Sequence, residues 1–390
     1  MTVLKELIPE SMIRISTKEA LKYGATNLAQ AFPDYDAREE VKNLAIEAIK
    51  AGHNQYSDTW GTPVLREAIA QKYQKKYGVQ IDPNKNVLVC CGCMEGLRLI
   101  LKAIIWNGGP DTEIIIIEPF YESFVPQTIL EGGKPVFVNL KEKNYDFDIA
   151  RLEEKINKNT KVVMINSPNN PCGKMFSENE LKQIYDLCTD RNIYIVSDET
   201  YEHIYYKNYK HISILTFENR KGNLIFVTGI GKTYSVTGWR VGFVIADENV
   251  IKAIRASHDY FSVCAPTPFQ YAAADLLKFP ESYYEEIRKS YDQRKIFLLD
   301  GLRNVGFNYF EPQGAYYVLV DFSEIGNRLQ IYNDIDFTHY LIKEIKVAAV
   351  PGSAFYGNKE LGKSNIRFTF CKKMETLVEA KERLQKLVNL

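Results

Sequence analysis

VTGIGKTYSVTGWRVGF, residues 227–243, ends an apolar run and then places a single lysine, Lys232, just after Gly229 and Gly231. Arg240 follows, with Gly238 and Gly242 on either side of it. A lysine that only solvates a surface needs no such surroundings. A phosphate-cradling loop of the form G-x-x-x-x-G-K-[ST] needs a glycine at 226, where Phe226 stands. A dinucleotide fingerprint G-x-G-x-x-G needs one at 234, where Tyr234 stands. The remaining reading is a lysine held at a strand end among small neighbours. There a bound group can approach the backbone closely, and the amine can reach a carbonyl carbon to form a Schiff base.

That reading needs a buried strand before Lys232, and the flanking sequence supplies a series of them. Short β-rich runs occur at 86–91, 113–117, 135–140, 161–166, 193–197, 224–228 and 241–246. Most are continuously apolar, as strands covered on both faces are. Helical patterns lie between several of them. One spans 63–77, with Thr62 as N-cap, Pro63 at the first helical position and Gly78 as stop. Another opens on Ser177 and Glu180 in capping-box spacing. This alternation predicts an α/β fold with a mostly parallel sheet wrapped by helices. The C-terminal part reads differently. A long helical stretch over 282–304 precedes strand-like runs at 315–321, 347–350 and 365–370 and a closing helix over 374–388. Mixed order of this kind predicts a second, smaller α+β domain.

Composition narrows the function. A chain of 390 residues exceeds one compact core. Lys plus Arg and Asp plus Glu both number 49, so the net charge is zero and nothing favours nucleic acid or a membrane surface. No run approaches the ~20 apolar residues of a spanning helix, and residues 1–14 do not resemble a signal peptide. Seven cysteines, an odd number, fit reduced thiols and a cytoplasmic location. Cys90, Cys91 and Cys93 lack the second ligand pair of a zinc site, and strand neighbours point to opposite faces. They read as small buried hydrophobes, and no metal is expected.

The strand ends carry the remaining argument, because ligands of open α/β sheets bind there. Pyridoxal phosphate needs an acid for its ring nitrogen, a hydrogen bond to its ring hydroxyl, a stacking face and an anion site. IYIVSDETY puts Asp198 at a strand end, and INSPNNPCG puts Asn166 and Asn170 after another. IIIIEPFYESF supplies Phe120 and Tyr121. VCCGCMEGL reads as strand, tight turn and helix N-terminus, which offers backbone N–H groups to a phosphate. Each alone is an ordinary cap, turn or core feature. Their conjunction on successive strand ends is not.

Six motifs in order then resemble a known family: N-Q-Y-x-x-x-x-G-x-P-x-L-R from Asn54, E-P-F from Glu118, P-N-N-P-x-G from Pro168, D-E-x-Y from Asp198, G-K-T-x-S-x-T-G-W-R-x-G from Gly231 and N-I-R-F from Asn365. The chain is similar to fold-type I, class I/II aminotransferases, and most resembles the kynurenine aminotransferase, glutamine transaminase K and cysteine-conjugate β-lyase branch. The resemblance implies a large pyridoxal-phosphate domain over 46–300 with a seven-stranded sheet. It implies a small domain from 1–45 and 301–390 that closes over the substrate. It implies that Lys232 binds the cofactor covalently and acts as general base. Asp198 would pair with the ring nitrogen, and Asn170 and Tyr201 with the ring hydroxyl. Tyr121 would stack on the ring, Cys93, Met94 and Arg240 would hold the phosphate, and Tyr56 would reach it from a partner subunit of a homodimer. Arg367, helped by Asn166, would grip the substrate carboxylate. The implied reaction moves an amino group from an L-amino acid to a 2-oxo acid by a ping-pong route. The alternative is a non-transaminating lyase, cyclase or oxidase built on the same residues. Side-chain recognition is expected near Phe32, Tyr56, Trp60, Phe120, His258 and Phe261.

Two positions depart from the family pattern. Gly229 stands where a phosphate-contacting serine is usual, leaving Thr228 or water to substitute. Ala29-Gln30-Ala31-Phe32-Pro33 replaces G-x-G-x-P, so Ala31 adds a methyl group where the segment meets the substrate carboxylate.

Overall fold

The computed structural model describes residues 8–141 and 143–389. The large sheet has seven strands: β1 Val87–Cys90, β2 Glu113–Glu118, β3 Lys134–Asn139, β4 Thr160–Asn166, β5 Tyr194–Asp198, β6 Leu224–Gly229 and β7 Gly242–Ile245. Their order across the sheet is β1-β7-β6-β5-β4-β2-β3. β7 runs antiparallel to both its neighbours, and the other pairs are parallel. Every expected strand is present.

The continuous apolar runs follow from covers on both faces. Successive side chains of a strand point to opposite sides. In β4, Val163 and Ile165 join the core on one face while Val162 and Met164 join the core on the other. β2 divides in the same way, with Ile115 and Ile117 on one side and Ile114 and Ile116 on the other. Each such side chain contributes about 1.5–3 kcal/mol when fully buried.

The helix Pro63–Tyr77 starts and stops where the sequence indicates, ending on Gly78 at φ 72°. Thr62 precedes it but does not cap it: its hydroxyl is buried without a partner. The turn is held from outside instead, by the Thr62 N–H donating to Gln270 Oε1 at 2.7 Å. The Ser177 capping box is formed, with Ser177 N donating to Glu180 Oε2 at 2.8 Å and Glu180 N to Ser177 Oγ at 3.3 Å.

A second sheet, antiparallel, runs Val350–Pro351, Asn365–Thr369, Tyr317–Asp321, Asn308–Tyr309. Its central strand starts at Tyr317 rather than 315, because Ala315 takes the left-handed conformation at φ 56° and interrupts the extended chain. The helix Glu281–Val305 packs on the closing helix Met374–Leu384, which finishes as a tighter turn over Gln385–Asn389. Near the N-terminus, the helix Met12–Tyr23 leads into Thr26–Asn27, which pairs with Val347–Ala348. Early and late parts of the chain are thereby joined. No helix among the described residues is long and apolar enough to cross a membrane.

Candidate active site

The parallel strands β4, β5 and β6 end side by side, with Asn166 opposite Asp198 and Asp198 opposite Val227. A cavity of about 220 Å³ opens beyond these ends. β6 runs directly into a single helical turn, Ile230–Thr233, and this turn delivers Lys232 to the cavity wall. The amine donates to Ala31 O at 3.2 Å and pairs with no carboxylate among the described residues. Burial pushes the Lys232 amine below its usual range, and the Arg367 and Arg240 charges push the same way.

Asp198 is buried, and burial pushes its carboxyl up to about 6. Both of its side-chain hydrogen bonds fall on Oδ1, from Thr200 N at 3.1 Å and Thr200 Oγ1 at 2.7 Å. Asn166 Nδ2 donates to Asp198 O at 2.9 Å, and Asn166 Oδ1 accepts from Asn170 N at 2.7 Å. Asn166 thus ties two strand-end loops together. Arg367, fully buried on the second sheet, crosses into the same cavity. Its Nη1 donates to Asn170 Oδ1 at 2.9 Å and its Nη2 to Ala29 O at 2.8 Å, while its Nε has no partner. The Tyr201 and Tyr317 hydroxyls meet at 2.6 Å.

The opposite end of the cavity is cationic and rich in N–H groups. Cys93 and Met94 begin the helix Cys93–Gly108, behind Gly92 at φ 81°. Arg240 lies against Gly92, where a Cβ would come within 2.4 Å of Nη2. Only glycine leaves room for that guanidinium. Gly242 has a similar reason: a Cβ there would lie 2.6 Å from Cys93 N, so the helix could not close on β7. Gly238 has nothing near it and carries no such constraint. Arg240 itself sits at φ 53°, a conformation that costs a non-glycine residue and recurs at functional sites.

The cavity therefore gathers Lys232, Asp198, Tyr201, Cys93, Met94, Tyr121, Asn170, Arg240, Arg367, Asn166 and Ala31. Tyr56 is different. It is 82% exposed and lines a separate surface groove with His53 and Tyr271. The expected side-chain pocket is not built as anticipated within one chain, since Phe32, Trp60, Phe120, His258 and Phe261 do not line the cavity. Trp60 stacks under the Arg255 guanidinium, Phe120 packs on Phe137, and His258 is buried beside Glu95. Ile13, Gln30, Thr200 and Tyr317 line it instead. Thr200 was within reach of sequence reasoning, as a hydroxyl two residues past Asp198 on the same strand end. Ile13, Gln30 and Tyr317 come from elements whose approach no local pattern signals.

The Gly229 departure has a steric cause. A Cβ there would lie 2.9 Å from Val241 O and 3.0 Å from Cys93 Sγ. The substitution expected of Thr228 does not occur, because that hydroxyl is buried and donates to Glu199 O at 3.1 Å. Ala31 is accommodated: its carbonyl accepts from Lys232 Nζ and, at 3.4 Å, from the Tyr316 hydroxyl.

Comparison with known proteins agrees with this geometry. The family model for aminotransferase class I and II matches residues 24–384. An aspartate aminotransferase of Pyrococcus abyssi is 34% identical over 91% of this chain and 90% of that protein. Human kynurenine–oxoglutarate transaminase 1 is 31% identical over 95% of this chain and 94% of its own. An Escherichia coli crystal structure in which a methionine aminotransferase function was identified superposes with a TM-score of 0.91 at 30% identity, covering 98% of both chains. With sequence and fold matched over nearly the whole chain, this protein belongs to the class I and II aminotransferases and is an amino-group-transferring enzyme.

Proposed function

We propose that the cavity holds pyridoxal 5′-phosphate on Lys232 and exchanges an amino group between an L-amino acid and a 2-oxo acid. One observation carries this reading. A half-buried lysine with no carboxylate partner among the described residues and a buried aspartate with one oxygen unbonded face a common cavity from adjacent strand ends. The residues present fit the cofactor. Arg240 and the Cys93 and Met94 N–H groups suit a phosphate, and Gly92 leaves the space that arrangement needs. Asp198 Oδ2 suits a protonated ring nitrogen, while Tyr121 supplies a flat face. Arg367 occupies Asn170 Oδ1, so the Asn170 amide NH₂ is left to donate to a ring hydroxyl, beside Tyr201.

When bound, pyridoxal phosphate supplies the electron sink at substrate Cα and carries the amino group between the two halves of the reaction. The chain does the rest. Lys232 Nζ, whose proton affinity burial lowers, removes the Cα proton and returns it elsewhere. Arg367 orients the substrate by its carboxylate. The 27–31 segment, bonded to Arg367 and Lys232, shields the site from water. The proposal includes a small unit, 1–45 with 301–390, closing on 46–300, and a cytoplasmic homodimer in which the partner subunit's Tyr56 completes the phosphate site.

Initial rates with amino acid and oxo acid both varied should give parallel double-reciprocal lines, and amino acid alone should stop after one turnover. Intersecting lines, or continuous product from one substrate, would remove the reading. For the dimer, Tyr56→Phe should weaken cofactor binding about tenfold. Hybrids of Tyr56→Phe with Lys232→Ala should contain one fully wild-type site. Sedimentation showing monomers at working concentration would exclude the shared site.

A further inference from the structure

Cys93 and Gly229 are neighbours in space, and together they raise a question that the phosphate-binding role leaves open. The phosphate role uses the Cys93 backbone N–H and leaves its thiol unassigned. Its sulfur lies in the space beside Gly229, 3.0 Å from where a Cβ would stand, and 3.2 Å from Thr200 Oγ1. Thr200 Oγ1 is in turn 2.7 Å from Asp198 Oδ1. A threonine hydroxyl has one proton, so it cannot donate to both. The carboxylate accepts more strongly than a thiol, so the proton points to Asp198. Burial pushes the Cys93 thiol up to about 12, so it keeps its own proton and donates to the Thr200 oxygen.

We infer that Cys93 and Thr200 are positioning residues for Asp198: a hydrogen-bond relay, Cys93 S–H to Thr200 O–H to Asp198 Oδ1, that favours the ionised carboxylate and leaves Oδ2 for the ring nitrogen. Gly229 is the condition for it, because any side chain there would press on the sulfur. The relay deepens the reading of Asp198 proposed above and rests on it for its purpose, though not for its existence. Hydrogen bonds to the charged form lower a carboxyl pKa, opposing the burial that raises it. The other ionisable groups around Asp198 are Lys232 from the lysine turn, Glu199 beside it, and Tyr121 and Tyr201. Glu199 is tied to His211 at 2.6 Å. None of these donates to Oδ1.

The test follows the Asp198 carboxyl by ¹³C NMR in apoprotein of the full chain, assigned by loss of the signal in Asp198→Asn. Thr200→Val should raise its midpoint by about one pH unit, the size expected for losing one hydrogen bond to a charge. Cys93→Ala should raise it by less, in the same direction. Thr200→Ser and Cys93→Ser keep a donor and should hold the wild-type midpoint. The pH at which pyridoxal phosphate affinity falls to half, read by fluorescence quenching, should move with the carboxyl midpoint. An unmoved midpoint in Thr200→Val or in Cys93→Ala overturns the relay, as does a serine variant that shifts like the variant without a donor at the same position. Wild-type apoprotein that fails to bind the cofactor would instead overturn the reading of the site, while the carboxyl titration would still decide the relay.

Discussion

Lys232→Ala loses turnover by about 10⁴-fold or more, and it does so without unfolding the protein. Both halves of that expectation come from the surroundings of the amine. Lys232 is the one amine on a cavity wall whose other cations are guanidiniums, which cannot give up a proton at neutral pH. Among the lining groups Asp198 is the alternative base, but it is placed to balance a cation and its Oδ1 is already engaged. No other lining group can take over proton removal from Cα. Structurally the lysine contributes little. Its amine donates to Ala31 O, which keeps the Tyr316 hydroxyl as a donor when the amine is gone. A desolvated amine without a carboxylate partner costs stability, so the apo variant should melt at or above the wild-type temperature. Steady-state rates and a thermal melt check the two halves separately. Turnover within tenfold of wild type would refute the assignment.

Arg367 carries the second large effect. Arg367→Lys should raise KM for the amino acid about a hundredfold, and Arg367→Leu should raise it further. The fork of the guanidinium spans two acceptors at once, Asn170 Oδ1 and Ala29 O, and lies over the Tyr317 ring at 4.6 Å from its centroid. A lysine keeps the charge but not the planar geometry that matches a carboxylate edge. A leucine also leaves both oxygens buried and unpaired, at about 1–3 kcal/mol each, so its melting temperature should fall where that of the lysine variant falls less. Selectivity separates substrate binding from general damage. Wild-type enzyme should prefer an amino acid over the matching amine without a carboxyl group, and Arg367→Leu should lose that preference. Equal preference ratios in the two proteins would show that Arg367 is a structural ion and not a substrate anchor.

The parts of the site legible in the sequence lie on β4, β5 and β6. Strands buried on both faces announce themselves as unbroken apolar runs, and the polar residues that follow each run lie at the ligand-binding edge. Asn166, Asp198 and Lys232 could be named for that reason. Arg367 was named only through the resemblance, since a buried arginine and a surface one look alike in sequence. Ile13, Gln30 and Tyr317 were not found because they arrive from the N-terminal helix, the strap after it and the second sheet. Their meeting is a long-range event with no local periodicity. The role of Gly229 was also hidden. It is set by Val241 O and by the sulfur of Cys93, the latter on a helix more than a hundred residues away in sequence.

The strap over the cavity is fastened almost entirely by its main chain. Ala29 O, Ala31 O and Phe32 O accept from Arg367, Lys232 and Lys372. Every amino acid brings a carbonyl, so these moorings are indifferent to which residue occupies the position. Variation at 31 can reshape the roof over an incoming substrate without loosening how the roof is attached, whereas Gln30 is also held by its side chain, which accepts from Thr17 Oγ1 at 2.9 Å. A library confined to position 31 is therefore a low-risk place to retune which amino acids this enzyme accepts.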